Sequence, residues 1–195
     1  MTKGNYFKLL FVTILTAFLS LPLTVQAQEN SFSDTHNLLE GVKKKDYGKL
    51  QKYLAKGANV NTRDYDDGQT PLYYAASLKD TVMVTLLLKE EANPNIARRS
   101  TGETPLMVAV RLKSKEIVAM LISQKADVNI ADRNGETSLY KAVRAQSRDS
   151  VKALLDVNAD WAIADNTGRT PLDLAREDRR LRSMVRVLES SGAEY

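Results

Sequence analysis

Histidines, cysteines and clustered carboxylates are the side chains that most readily do chemistry, and this sequence holds few of them. His36 is the single histidine, and there is no cysteine among the 195 residues. A Ser-His-Asp arrangement would have to be assembled around His36, yet the chain offers no nucleophile elbow and no structured acid partner near it. Asp64, Asp66 and Asp67 cluster, but Asp-x-Asp-Asp-Gly is only a fragment of a calcium loop. The glycines at 68, 102, 135 and 168 stand singly, so no phosphate-cradling loop is present. No catalytic residue, metal ligand or cofactor is assigned, and what remains to be read is a surface.

The elements that would shape that surface are written in a repeat. Thr70-Pro71-Leu72-Tyr73-Tyr74-Ala75 recurs as Thr104-Pro105-Leu106-Met107-Val108-Ala109, Thr137-Ser138-Leu139-Tyr140-Lys141-Ala142 and Thr170-Pro171-Leu172-Asp173-Leu174-Ala175. The leucines are 34, 33 and 33 residues apart, a period that marks repeat architectures. Threonine at an N-cap accepts from an orphaned backbone N–H, and proline at the first helical position has the right φ and no N–H to lose. About ten residues on, a second apolar stripe begins: Val84, Leu87, Leu88; Val118, Leu121, Ile122; Val151, Leu154, Leu155. Spacing of i, i+3, i+4 is one helix face. The chain then leaves the second helix through Ala-Asn-Pro-Asn (92–95), Ala-Asp-Val-Asn (126–129) or Ala-Asp-Trp-Ala (159–162), and crosses to a glycine-containing turn.

The pattern resembles the ankyrin repeat, a hairpin-like turn followed by two antiparallel helices with a Thr-Pro-Leu-His-x-Ala motif. The resemblance implies an all-α solenoid of helix-turn-helix units with hairpin-like turns. Five repeats including degenerate caps are expected, at about 34–63, 64–97, 98–131, 132–164 and 165–195. The family histidine is Tyr73, Met107, Tyr140 and Asp173 here, so its hydrogen bond cannot be carried over. The resemblance also implies a non-catalytic binding scaffold, with a partner held by turn tips and first helices that line a concave groove. Carried onto this chain, those positions are Asp66, Asp67, Gln69, Ser77 and Leu78, then Ser100, Thr101, Glu103, Arg111 and Leu112. In the fourth repeat they are Arg133, Asn134, Glu136, Arg144 and Ala145, and in the fifth Asn166, Thr167, Arg169, Glu177 and Asp178. Tyr74 is a candidate aromatic anchor; Tyr73 and Tyr140 are either anchors or packed between helices.

The first repeat has lost its cap motif but keeps the frame, with Leu38 and Gly41 standing where Leu72 and Ala75 stand, and Leu50, Tyr53 and Leu54 forming its second stripe. Its Lys43-Lys44-Lys45 run is either a solvated face or the basic end of a partner groove. In the last repeat the turn between helices carries one extra residue, and Glu189 replaces the leucine or isoleucine of earlier copies, as a terminal unit facing water requires. Gly57 and Gly192 occupy the turn after the second helix at the two ends, but Glu91, Lys125 and Asn158 occupy it between, where a left-handed residue costs about 1 kcal/mol. The second and third tips are one residue longer than the fourth and fifth; Tyr65 to Gly68 is acidic and Arg98 to Gly102 basic, so a partner gripped asymmetrically is expected to be gripped there.

At the N-terminus, Lys3 and Lys8 precede an apolar run from Leu9 to Leu21, and Pro22 precedes Val25-Gln26-Ala27. This reads as a signal peptide (1–27) cut after Ala27, with 28–33 a flexible tail and 34–195 the repeat domain. The alternative is an uncleaved anchor, for which the apolar run is short. The expected address is periplasmic or secreted. Cleavage would lower the net charge from +4 to +2, too little to argue for nucleic acid or an anionic membrane. The expected function is a monomeric protein-interaction module of the cell envelope, with a protein partner and no nucleic acid or small-molecule substrate. The alternatives are a membrane-tethered adaptor and a secreted, host-directed effector.

Overall fold

The computed structural model describes residues 23–190, with side chains from Ser33; the apolar segment before Leu23 and the glycine at 192 lie outside the described residues. Helix α1 (Leu23–Lys43) and α2 (Tyr47–Ala55) make the first repeat, α3 (Pro71–Ser77) and α4 (Thr81–Lys89) the second. Next come α5 (Pro105–Arg111) and α6 (Lys115–Ser123), then α7 (Ser138–Arg144) and α8 (Arg148–Leu155). Helices α9 (Pro171–Glu177) and α10 (Arg182–Glu189) close the array. All described regular structure is helical, and no described helix is long and apolar enough to cross a membrane.

Each inner helix starts as its motif dictates. The hydroxyls of Thr70, Thr104, Thr137 and Thr170 accept from the N–H groups of Tyr73, Met107, Tyr140 and Asp173. Asp173 returns a bond to the Thr170 N–H at 2.9 Å, completing a capping box. The motif leucines and alanines are buried and pack inner helix on inner helix, α1 through α9 in chain order. On the outer helices Val84, Leu87, Val118, Leu121, Val151 and Leu154 are buried, while Leu88, Ile122 and Leu155 are half-buried. Gly41 is needed for closeness: a Cβ there would meet the Leu50 nitrogen at 3.1 Å.

The exit turns staple each repeat to the next. Asn61, Asn95 and Asn129 accept through Oδ1 from the N–H groups of Asn93, Asp127 and Asp160 at 2.7–2.8 Å. The hairpin tips are joined by backbone bonds from Arg99 to Asp67, Arg133 to Thr101 and Asn166 to Asn134, each 2.9 Å. This stitching leaves no room for a side chain at Gly102 and Gly135: a Cβ on Gly102 would stand 2.9 Å from the Arg133 nitrogen and one on Gly135 2.7 Å from the Asn166 nitrogen, and both glycines are left-handed as well.

Three expectations are refined. Residues 28–33, expected as a loose tail, are helical within α1, since neither proline nor glycine interrupts Leu23 to Glu40. The extra residue of the last repeat is taken up by a 3₁₀ turn, Arg179–Leu181, which buries Leu181. Glu91, Lys125 and Asn158 are left-handed, and so is a second site in each of the first four repeats that the sequence does not mark: Lys45, Lys79, Lys113 and Gln146, between the two helices.

Candidate functional site

The positions expected to line a groove lie at the ends of the inner helices and on the tips beside them. At the second tip Asp66 is exposed, whereas Asp67 is paired with Arg98 of the third. The Arg98 guanidinium holds the Asp67 carboxyl below the usual carboxylate range, and the Gln69 amide donates to the same oxygen at 3.2 Å. The acidic and basic tips, expected to grip a partner asymmetrically, thus spend part of their charge on each other. Ser100 is exposed, and Thr101 accepts from the Glu103 N–H at 3.2 Å.

The second, fourth and fifth tips are each organised by an aspartate whose Oδ1 accepts backbone N–H groups: Asp64 from Asp67 and Gln69, Asp132 from Asn134 and Glu136, Asp165 from Thr167 and Arg169. The second oxygen faces an inner helix. Asp64 takes the Tyr74 hydroxyl, with Lys43 Nζ 3.6 Å away and 5.0 Å from the Tyr74 ring centre. Burial and then the Asp64 bond push the Tyr74 phenol up. Burial works against ionised Asp64, but Tyr74, the two N–H groups and Lys43 hold its carboxyl low. Tyr74 is therefore half-buried and bonded, Ser77 donates to its carbonyl at 2.8 Å, and Leu78 is half-buried at the helix end.

Between the third and fourth repeats lies a cluster of charges. Lys141, on the inner helix where Tyr74 and Val108 stand in earlier copies, is 8% exposed. Its Nζ is 2.7 Å from Asp132, 3.1 Å from Glu136 and 3.4 Å from Glu103. Glu103 also takes Arg111 at 3.4 Å and the Tyr73 hydroxyl at 3.1 Å, and Glu136 also takes Arg144. Glu103 and Glu136, expected to meet a partner, are buried and engaged with these bases instead. Arg111 and Arg144, half-exposed at the same position of consecutive inner helices, are what the cluster presents outward. Nothing in the sequence marked Lys141, because its three acids come from two repeats.

Tyr73 and Tyr140 are packed between helices, and the Tyr140 hydroxyl donates to Asp165 at 2.6 Å with the Arg144 guanidinium 5.1 Å over its ring. Leu112 and Ala145 are half-buried, and Arg133, Asn134, Asn166 and Thr167 are exposed. The Asn166 amide donates to the Arg133 carbonyl at 2.8 Å. Arg169 is 3.2 Å from Asp165 and 3.6 Å from exposed Glu177, and Asp178 pairs with Arg180. Two recesses open beside the inner helices. One of about 250 Å³ includes His36, Glu40, Lys43 and Tyr65; one of about 650 Å³ includes Arg144, Arg169, Leu174 and Arg180. Among the described residues no group of three or more histidines or carboxylates is placed to hold a metal ion.

The model of the family described as ankyrin repeats (3 copies) matches residues 38–132 and 121–195. The chain is also similar to the 2-5A-dependent ribonuclease of Homo sapiens, 32% identical over 68 residues. That match covers 35% of this chain and 9% of the human protein, so the chain spans a small part of that relative's length.

Proposed function

This chain belongs to the ankyrin repeat family, and we propose that it is a non-catalytic interaction module of the cell envelope that holds a protein partner on its concave face. Ankyrin repeats generally serve as protein–protein interaction modules, and the fold is typically non-catalytic. The observation that carries the concave-face reading is the pairing of Arg111 and Arg144 with buried Glu103 and Glu136. Both guanidiniums are held from behind while their outer edges stay open. Arginine fixed in this way loses little rotamer freedom on association, and arginine is favoured at binding hot spots.

The test is affinity capture from envelope extract, with the chain as one bait and a variant carrying Arg111→Ala, Arg133→Ala and Arg144→Ala as the other. A protein retained by the first and lost from the second supports the reading. Identical retention by both baits, or none by either, removes it. The envelope location rests on the basic, apolar and small-residue pattern of residues 1–27. A tethered form is the second reading, favoured by the unbroken run of α1 through Ala27. Intact mass of the exported protein separates the two: loss of residues 1–27 supports cleavage, and the full mass supports tethering.

A further inference from the structure

We propose that the edge formed by the turns between inner and outer helices docks on an anionic phospholipid surface. The whole-chain charge of +4 is modest, but it is not evenly spread. Lys45, Lys79 and Lys113 occupy the same turn of successive repeats, are exposed, and make no ion pair among the described residues. Their φ values are 55°, 55° and 56°, a left-handed backbone that glycine adopts freely and lysine does not. A strained position filled three times by the same cation indicates use of the side chain. Neighbouring helices pack about 8–10 Å apart, so the three ammoniums form a short row along one edge.

The same edge carries apolar groups that a purely ionic surface has no need of. Tyr47, the first residue of α2, is 42% exposed and its hydroxyl donates to Asp80 of the next turn at 2.8 Å. Val82, in the first turn of α4, is 55% exposed. Tyrosine with its ring in the headgroup layer, flanked by lysines that reach phosphate, is the composition of a lipid interface. Of the acids beside the row, Asp46 and Asp80 cap α2 and α4 and Asp149 is paired with Lys115, while Glu116 in the first turn of α6 is exposed. A nucleic acid would use the lysines but not Val82, which favours the membrane. The edge is separate from the overhanging tips but adjoins the inner-helix ends, where Lys79 and Lys113 directly follow Leu78 and Leu112.

The test is flotation of the full chain, as recovered from an exporting cell, with phosphatidylcholine vesicles that do or do not contain one-third phosphatidylglycerol. The variant carries Lys45→Gly, Lys79→Gly and Lys113→Gly, which removes charge and relieves strain together. A lysine held at an anionic leaflet contributes about fivefold to binding, so the triple change should weaken binding about a hundredfold. Its thermal midpoint should rise, which rules out misfolding as the cause of the loss. Equal binding to both vesicle types would mean that the N-terminal apolar segment alone holds the membrane, and would overturn the inference. So would unchanged binding by the variant, or binding to a duplex oligonucleotide but not to the anionic vesicles.

Discussion

The ammonium of Lys141 lies 2.7 Å from Asp132, and both side chains are less than one-tenth exposed. Glu136 and Glu103 share the same cation, so one buried lysine compensates three carboxylates drawn from two repeats. Removing one partner of a buried ion pair leaves uncompensated charge and costs about 3–5 kcal/mol. Lys141→Met should therefore lower stability by about that amount in urea titration. A loss below about 1 kcal/mol would show that Arg111 and Arg144 can take over the acids unaided.

The pH limits of stability follow from two tips and one helix. Burial works against ionised Asp165, but the Thr167 and Tyr140 hydroxyls and the N–H groups of Arg169 and Thr167 outweigh it, and its carboxyl titrates well below the usual range. A depressed folded pKa contributes stability that is present above the unfolded value of about 3.9 and lost as pH falls below it. In Asp165→Asn the decline of the thermal midpoint between about pH 4 and pH 2 should be shallower than in the parent. Parallel acid limbs would assign that decline to other carboxylates.

On the alkaline side, burial and then the Asp165 bond push the Tyr140 phenol up to about 12. A raised folded pKa contributes stability that is complete below the unfolded value of about 10 and is lost as pH climbs toward 12. Lys141 adds to this: burial alone would lower its pKa, but Asp132 and then Glu136 raise it on balance. Tyr140→Phe, melted from pH 8 upward, should show a flatter alkaline limb. An unaltered slope would leave Lys141 and the other tyrosines as its source.

The exit turns hold backbone strain that glycine would remove. Glu91 has φ 60° and Lys125 φ 57°, both exposed. Glu91→Gly and Lys125→Gly should each stabilise the fold by up to about 1 kcal/mol, seen as a higher thermal midpoint. A lower midpoint in both would mean that the entropy glycine adds to the unfolded chain exceeds the strain relieved.

Ser138 occupies the first position of α7, where three other inner helices carry proline, and its buried hydroxyl has no hydrogen-bond partner. Ser138→Pro removes that hydroxyl and restricts the unfolded chain, for a gain of about 0.4–1 kcal/mol or more. Calorimetry decides it: destabilisation would mean that the ring meets a wall the hydroxyl does not.

The architecture was legible because it is local and repeated. The spacing of Leu72, Leu106, Leu139 and Leu172, with a threonine two residues before each, carries helix starts and core face together. The site was less legible because its contacts join residues about 30 positions apart. Arg98 reads as one cation in a basic tip until Asp67 is placed beside it, and Glu103 and Glu136 read as groove residues until Lys141 is seen between them. Lys45, Lys79 and Lys113 look like ordinary surface lysines, because φ is not written in composition. For Gln28 to Ser33 a polar composition suggested a tail, whereas the absence of any breaker up to Glu40 lets α1 extend through it.

The asparagine staples run from Asn61 through Asn95 to Asn129 and then stop, because Ala162 stands where the next amide would be. The two ends of the array are therefore unequal in how they come apart. An array in which each unit contacts only its neighbours loses units from whichever end is least fastened. The fifth repeat, without that amide, is tied to the fourth by the Asn166 N–H on the Asn134 carbonyl and the Gln146 amide on the Arg180 carbonyl, so local opening of α9 and α10 is set by those bonds and by packing.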